Sequence, residues 1–222
     1  MRTEDITPAK TSRPRILVAD DHAVVRRGVI EILRDSVPGA AFGEADTGGR
    51  AIELAREQEW DLAILDVSLP DQSGLEVLKQ IRGLAPRLPV LVLSMHSEEQ
   101  FALRTLRAGA AGYVMKKTAP QEIGEAVRRI LAGGRYITPS IAERMALEIA
   151  DPSDKSPHER LSDREYQVFR RLALGKTVKE IASELSVSVQ TVSTHRARIL
   201  AKMGFRSNAE LTEYAIRDHL LE

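Results

Sequence analysis

The sequence predicts an α/β protein in two parts: a doubly wound, five-stranded parallel sheet, followed by a second, smaller all-α domain with a helix-turn-helix. Three observations support this fold class. Short, continuous apolar runs recur through the first half of the chain, as in strands that are buried on both faces. Helical patterns alternate with these runs, and only helical patterns remain in the C-terminal part of the chain.

The strands and helices of the first part follow one another in strict alternation. Five segments fit strands: the apolar runs 16–19, 62–65, 90–93 and 113–115, and a weaker candidate at 40–45. The helices predicted between and after them are 24–33, 51–58, 75–81, 100–107 and 123–131. Because each strand is followed by a helix that returns the chain to the same edge, the strands are expected to run parallel.

A linker separates this part from the rest. Gly133 and Gly134 end the alternation, and Thr138 with Pro139 is typical of a helix start, so a linker helix is predicted over 140–149. Residues 151–160 are rich in Asp, Ser and Pro and lack periodicity, which indicates a boundary. We therefore divide the chain into a disordered polar lead (1–13), the sheet domain (14–137), a linker with a helix (138–158) and a helical domain (159–222).

The helical domain contains four predicted helices, at 163–173, 178–185, 189–203 and 208–220. Ser162 with Glu165, Thr177 with Glu180 and Ser207 with Glu210 have the spacing of a capping box, which marks a helix start. Only residues 186–188 separate the second helix from the third. This layout predicts a helix-turn-helix.

Composition and charge narrow the class of protein. Hydrophobic residues make up 43% of the chain, enough for a buried core, and cysteine is absent, which excludes disulfides and thiol chemistry. We expect a cytoplasmic protein, since there is neither a secretory signal nor a run long enough to span a membrane. Residues 160–222 carry eleven Lys and Arg against eight Asp and Glu, a net of +3 in a chain of net zero. A basic C-terminal part suggests an anionic partner.

Polar side chains follow four of the predicted strands. Asp20 and Asp21 follow the first strand, Asp66 the third, Ser94 the fourth and Lys116 the fifth. In an open parallel sheet the carboxyl ends of the strands share one edge, where ligands bind. We therefore expect three carboxylates, a hydroxyl and an ammonium group to converge there.

These residue types suit phosphoryl chemistry. Crowded carboxylates repel one another unless a cation or a proton intervenes, and Mg²⁺ prefers oxygen ligands and accepts phosphate. One carboxylate can then attack a phosphoryl group and form an acyl phosphate, with the metal neutralising charge in the transition state. Lys116 can pair with a phosphate oxygen, and Ser94 can donate a hydrogen bond to another. Taken singly, each residue also fits an ordinary structural role: the Asp residues could cap helices or form turns, and the Lys could be solvated.

The N-terminal motifs resemble those of the receiver domain of two-component response regulators, whose fold is flavodoxin-like. The motifs that carry the resemblance are Asp20-Asp21, Asp61-Leu-Ala-Ile-Leu-Asp66, Pro70 with Gly74, Ser94, and Gly109-Ala-Ala-Gly-Tyr113-Val-Met-Lys116. The resemblance covers residues 15–133.

The resemblance assigns roles to these positions. It implies that Asp66 is the phosphoacceptor and that Mg²⁺ is held by Asp20, Asp21, Asp66 and the backbone carbonyl of Ser68. Ser94 and Tyr113 would form a switch pair, in which the hydroxyl turns to the phosphate and the ring moves inward. An ordinary half-buried aromatic is the alternative for Tyr113.

Three further residues near the acidic site have expected roles of their own. Ser68 and His96 lie two residues after Asp66 and Ser94, at positions that vary across the family, and we expect them to set the rate of water attack on the phosphate. His22 is interpreted as a helix-start residue rather than a phosphodonor.

The helical domain resembles the LuxR-type helix-turn-helix, and the chain as a whole resembles the NarL/FixJ class of response regulators. The motifs are Leu161-Ser-Asp-Arg-Glu165, Gly175-Lys-Thr-Val-Lys-Glu-Ile-Ala182 and Leu185-Ser-Val-Ser-Val-Gln-Thr-Val-Ser-Thr-His195. At Ser193 many family members have lysine, so base choice there is an open question.

The predicted recognition helix at 189–203 has an apolar face and a polar one. Its apolar face is expected to consist of Val189, Val192, Ile199, Leu200 and Met203, and the residues of the turn and helix include no acidic side chain. A polar outer face suits the major groove of DNA, although a solvated amphipathic helix is the alternative. The expected DNA contacts are Thr177, Ser188, Gln190, Thr191, Ser193, Thr194, His195, Arg196, Arg198 and Lys202.

Together these features predict a DNA-binding transcriptional regulator that is controlled by phosphorylation and is not an enzyme beyond accepting and losing its own phosphoryl group. The expected partners are a sensor histidine kinase, promoter half-sites on double-stranded DNA, a second copy of the chain after phosphorylation, and RNA polymerase, but no membrane. We expect the unphosphorylated receiver to cover or misorient the DNA-binding domain. Two alternatives are a receiver that acts through protein contacts alone and an aspartate-based phosphohydrolase.

Overall fold

The computed structural model describes residues 13–95, 98–150, 156–185, 187–218 and 220–221. The predicted disordered N-terminal segment, apart from Arg13, lies outside the described residues. So does His96, which is expected to influence the rate of water attack on the phosphate. Among the residues described, no helix is both long enough and apolar enough to cross a membrane.

The N-terminal part alternates strands and helices as predicted. Its elements are β1 (Arg15–Ala19), α1 (Ala23–Ser36), β2 (Ala41–Ala45), α2 (Gly48–Glu57), β3 (Leu62–Asp66), α3 (Gly74–Leu84), β4 (Val90–Ser94), α4 (Glu98–Arg107), β5 (Gly112–Met115) and α5 (Ala119–Leu131). The strands form one parallel sheet in the order β2-β1-β3-β4-β5. This confirms the doubly wound, five-stranded fold class, and the weak candidate at 40–45 is the edge strand β2.

The sheet is buried on both faces, which explains the continuous apolar runs. In β1, Leu17 joins an apolar cluster on one face, whereas Ile16 and Val18 join a cluster on the other. Side chains alternate across a strand, so every residue of a central strand meets one of the two helical layers. The register places Asp66 beside Leu93, the residue before Ser94, so the polar strand ends lie at one edge.

The C-terminal part is entirely helical. Its elements are α6 (Pro139–Ala150), a 3₁₀ helix (Pro157–Arg160), α7 (Asp163–Ala173), α8 (Val178–Glu184), α9 (Val189–Met203) and α10 (Asn208–Arg217). The predicted capping boxes form at Ser162 and Thr177. At the third, Ser207 Oγ accepts from the Glu210 amide, but the Glu210 carboxylate accepts from the Arg206 amide instead of closing the box.

Two sequence expectations for this part are corrected. The lack of periodicity predicts an irregular segment at 151–160, yet residues 157–160 form the 3₁₀ helix, in which His158 is buried and its Nδ1 lies 2.6 Å from the Tyr214 hydroxyl. Val189, expected on the apolar face of α9, is 47% exposed because it begins that helix. Val192, Ile199 and Met203 do form the buried face.

Candidate functional site

The acidic residues converge with Lys116 at the carboxyl edge of the sheet. The Lys116 ammonium lies 2.6 Å from Asp20 Oδ2 and donates to Asp66 Oδ2 at 2.8 Å. The side chains of Asp20 and Asp66 are almost fully buried, whereas that of Asp21 is about one-third exposed. One ammonium group therefore neutralises two buried carboxylates, while the third carboxylate faces the opening of the site.

Backbone groups fix the orientation of the two buried carboxylates. Asp20 Oδ1 accepts from the His22 amide at 2.9 Å, and Asp66 Oδ1 accepts from the Ser68 amide at 3.1 Å. Gly74 lets α3 begin close to the end of β3, since a Cβ at this position would lie 2.2 Å from the Asp66 carbonyl oxygen. The matching glycine of the sequence motif is thus required by packing.

Burial and mutual pairing shift the pKa values of the charged groups in this cluster. Burial raises the pKa of Asp66 above its ordinary value, although the hydrogen bond and charge of Lys116 oppose this. Burial alone would lower the pKa of Lys116, but its hydrogen bonds with Asp20 and Asp66 raise it. The ammonium therefore stays charged at neutral pH and compensates the carboxylates.

The donor set suits a hard divalent cation. One ligand atom each from Asp20, Asp21, His22 and Asp66 lies within 4.8 Å of the others. Three of these ligands are carboxylates, the type that Mg²⁺ prefers. His22 lies before α1, as expected for a helix-start residue, and its Nδ1 is 2.6 Å from Asp21 Oδ1.

The two residues of the expected switch pair lie on neighbouring strands. Ser94 ends β4 and is fully buried, and its backbone carbonyl accepts from the Lys116 amide at 2.7 Å. Tyr113 in β5 is also fully buried, so its ring already lies inward. Ser68, by contrast, is exposed at the rim of the site.

The outer face of α9 is open to solvent. The exposed residues of the expected DNA-contact set are Thr177, Ser188, Gln190, Thr191, Ser193, Thr194, Arg198 and Lys202. Thr177 and Ser188 act as helix caps, as the sequence indicated. Contacts of the receiver with this domain involve α7 and the 3₁₀ helix, and the expectation that the unphosphorylated receiver covers or misorients the domain stays a prediction.

Two cations of the expected DNA-contact set bond to other helices of the domain, and His195 is partly buried. Arg196 Nε donates to Asn208 Oδ1, at the start of α10, at 2.7 Å. Lys202 Nζ donates to Oε2 of the buried Glu165 at 2.6 Å. His195 is half-buried, and burial lowers its pKa.

The receiver contacts the helical domain through α4. Phe101 packs edge-on against Tyr166 with ring centroids 5.4 Å apart, and the Arg104 guanidinium lies 4.4 Å from the centroid of the same ring. Arg104 also donates to the carbonyl oxygen of His158 at 2.5 Å. These contacts could not be predicted from the sequence, because a helical pattern shows which face of α4 is buried but not what covers it.

Models of two protein families match the chain. The response regulator receiver domain matches residues 16–128, and the LuxR family of bacterial regulatory proteins matches residues 159–215. Between them, these matches cover the edge that bears Asp66 and the helices that include α9.

Curated relatives are similar over nearly the whole chain. The response regulator UvrY of Escherichia coli is 36% identical over 206 residues, which are 92% of this chain and 94% of that protein. The response regulator GacA of Pseudomonas aeruginosa is 36% identical over 209 residues, which are 94% of this chain and 98% of that protein.

Solved structures share the arrangement of elements. RcsB of Salmonella enterica serovar Typhimurium, bound to promoter rprA in the presence of the phosphomimetic BeF3−, superposes with a TM-score of 0.64 at 25% identity. That match covers 91% of this chain and 98% of RcsB. A LuxR-family two-component response regulator from Aurantimonas is 38% identical with a TM-score of 0.57, over 63% of this chain and all of that one.

Proposed function

This chain belongs to the bacterial response regulators that join a receiver domain to a LuxR-type DNA-binding domain, and we propose that phosphorylation of Asp66 controls its binding to promoters. It is a regulator of transcription. The limits 14–137 for the receiver, 138–158 for the linker and 159–222 for the DNA-binding domain are part of the proposal.

We propose that Asp66 is the phosphoacceptor. A carboxylate oxygen of Asp66 attacks the phosphorus of a phosphohistidine on a sensor kinase, the P–N bond breaks, and the imidazole leaves. Lys116, which contacts Asp66 at 2.8 Å, neutralises charge on the transferred group. Ser94 and Tyr113 then respond as the switch pair. Water attack later removes the phosphoryl group, at a rate that Ser68 and His96 set.

We propose Mg²⁺ as the metal of the site, held by Asp20, Asp21, Asp66 and the backbone carbonyl of Ser68. The clustering of three carboxylates supports this choice. When bound, the metal supplies positive charge for the phosphoryl oxygens. Asp21 is the carboxylate most accessible to a hydrated ion, because the other two are buried.

We propose that α9 reads promoter DNA with its exposed face. Gln190, Thr191, Ser193 and Thr194 lie near its N-terminus, the part of a recognition helix that meets base edges, and Arg198 is an exposed cation further along the helix. Thr177 and Ser188 lie at helix starts, where backbone amides favour phosphate contact. The solved structure of RcsB bound to promoter rprA supports promoter binding by this chain.

We propose that the phosphorylated chain dimerises on DNA, because two linked recognition helices raise the effective concentration of each at its half-site. The proposal includes a cytoplasmic location, where promoter DNA is accessible, and RNA polymerase at the same promoter as a further candidate partner. Catalysis is limited to the chain's own phosphoryl group.

The convergence of Asp20, Asp66 and Lys116 is the observation that carries the proposal. The test is to incubate the chain with Mg²⁺ and a phosphodonor and locate the added phosphoryl group by mass spectrometry, and then to select bound fragments from genomic DNA with and without the donor. We expect the group on Asp66 and donor-dependent recovery of discrete sites. Phosphorylation without recovery of any DNA would favour a receiver that acts through protein contacts alone.

A further inference from the structure

A cavity of about 530 Å³ lies between the two domains, next to the acidic site. On the receiver side it is bordered by Asp21 and by the loop after β3, which includes Ser68. Both residues also border Asp66. The opposite wall belongs to the helical domain, and its cationic side chains are Arg164, Arg170, Arg171 and Lys176.

The charges that line this cavity are not balanced. Against the four cations its lining holds two carboxylates, Asp21 and Glu184. The Glu184 carboxylate pairs with two of these cations: its Oε2 lies 3.1 Å from Arg171 Nε, and its Oε1 lies 2.5 Å from Lys176 Nζ. Asp21 belongs to the acidic cluster and lies 2.6 Å from His22. The wall formed by the helical domain thus carries excess positive charge across the cavity from Asp21.

The environment of Arg164 and Arg170 is unfavourable for their charge. Arg164 donates to neutral acceptors, the side-chain oxygen of Gln167 and the carbonyl of Leu185, both at 3.0 Å. Burial, together with the positive charge of Arg171, lowers the pKa of both arginines, although Glu76 partly offsets this at Arg164 and Tyr166 partly offsets it at Arg170. An anion in the cavity would therefore be bound by guanidinium groups that water screens only partly.

The proposed function supplies such an anion. Phosphorylation of Asp66 would add a group with a charge of about −1.5 to −2 and three acceptor oxygens. Guanidinium groups are well suited to phosphoryl oxygens because they offer several donors in a fixed geometry. We propose that Arg164 and Arg170 bind the phosphoryl group on Asp66 from the side of the helical domain and thereby hold the DNA-binding domain against the receiver.

This inference rests on the proposed phosphorylation of Asp66 and specifies its mechanical outcome. The phosphorylated chain becomes more compact, with α7 drawn toward the site, rather than separating into two domains. Compaction is compatible with DNA binding, because the outer face of α9, including Gln190 and Arg198, is exposed while the domains are in contact.

Hydrogen exchange of the full chain tests the proposal. Exchange is followed by mass spectrometry in peptides from β3 and from α7, with Mg²⁺ alone and with Mg²⁺ and beryllofluoride, which mimics the phosphoryl group. We expect beryllofluoride to slow exchange in α7 by about tenfold, the effect of one charge-assisted hydrogen bond. Faster exchange in α7, the signature of domain separation, would overturn the inference.

Variants show whether the arginines cause this protection. Arg164→Gln with Arg170→Gln should lose the protection of α7 while keeping that of β3, and Lys179→Gln serves as the control, because Lys179 is exposed and outside the cavity lining. Arg170 is half-buried, so Arg164→Gln alone, which should lose part of the protection, covers the case in which the double variant fails to fold. Full protection in a folded double variant would contradict the proposal.

Two further arms separate this inference from the function on which it rests. If beryllofluoride leaves β3 unprotected, the proposed phosphorylation of Asp66 fails; if it protects β3 but not α7, only the arginine site fails. In the second arm, the Asp66→Asn variant is incubated with inorganic phosphate in place of beryllofluoride. Protection of α7 by inorganic phosphate in that variant would show that the cavity takes free phosphate and would overturn the assignment to Asp66.

Discussion

Arg104 of the receiver lies over the ring of Tyr166 in the DNA-binding domain, with its guanidinium carbon 4.4 Å from the ring centroid. Its Nη2 also donates to the His158 carbonyl oxygen. A single side chain of α4 thus contacts both α7 and the 3₁₀ helix that begins the second domain. Ser94 lies on the strand before α4 and Tyr113 on the strand after it, so this helix links the proposed switch pair with the contact to the DNA-binding domain.

Replacing Arg104 by alanine should loosen the contact between the domains. The loss of a partly desolvated cation–π interaction and of one hydrogen bond weakens that contact by about 2 kcal/mol. Small-angle X-ray scattering of the unphosphorylated chain should then give a larger radius of gyration than for the wild type. Arg107→Ala, an exposed arginine of the same helix, is the matched control, and equal radii for Arg104→Ala and the wild type would refute the role given to Arg104.

Replacing Lys116 by methionine should destabilise the receiver. The buried carboxylates of Asp20 and Asp66 would lose their shared cation, and removal of one partner from a buried ion pair typically costs about 3–5 kcal/mol. Urea unfolding in the presence of a metal chelator measures the loss. Adding Asp66→Asn to Lys116→Met should restore at least about 1 kcal/mol, because residues in contact are energetically coupled. Losses that add without coupling would contradict the arrangement.

The fold and the acidic site could be predicted from the sequence for a definite reason. Continuous apolar runs identify strands buried on both faces, and parallel strands bring their carboxyl ends to one edge. Asp20, Asp66 and Lys116 therefore had to meet, although up to 96 positions separate them. The helix caps at Thr177 and Ser188 could be predicted as well, since a cap depends on neighbours a few positions away.

The contacts between distant helices could not be predicted in this way. A helical pattern places Lys202 on the outer part of α9 but cannot show that its long side chain reaches Glu165, 37 positions earlier. The same holds for Arg104 and Tyr166, because one sequence does not reveal which helix of the second domain covers α4.

The cations of α9 should therefore differ in their effect on DNA binding. Arg198→Ala should weaken binding to DNA of any sequence and reduce the salt dependence of the affinity by about one phosphate contact, with no loss of stability. Lys202→Ala should instead lower the free energy of unfolding by about 1–3 kcal/mol, because it leaves the buried Glu165 without its cation. Binding isotherms at several salt concentrations and urea unfolding check both. Arg217→Ala, on α10, is the control for charge alone.

Acidification should destabilise the chain through His158. Burial, reinforced by the charge of Arg104, lowers the pKa of His158 to about 4, whereas an unfolded histidine titrates near pH 6.5. Between these values the unfolded state binds a proton that the folded state does not, so stability falls as the pH falls from 6.5 toward 4. Between pH 7 and pH 5 this contribution is about 2 kcal/mol.

Urea unfolding of His158→Gln at pH 7 and pH 5 checks this prediction. The variant should lose less stability on acidification than the wild type, while His22→Gln, which removes an exposed histidine near the acidic site, should not reduce the loss. An unchanged pH dependence in His158→Gln would show that the buried ring is not its source.

The affinity of the full chain for a selected promoter site, measured by fluorescence anisotropy with and without beryllofluoride and Mg²⁺, tests the link between Asp66 and DNA most directly. We predict that beryllofluoride raises the affinity of the wild type by at least about tenfold, a difference of about 1.4 kcal/mol, and leaves Asp66→Asn unchanged. Equal affinities for the wild type under both conditions, or an equal gain in Asp66→Asn, would contradict control of DNA binding through Asp66.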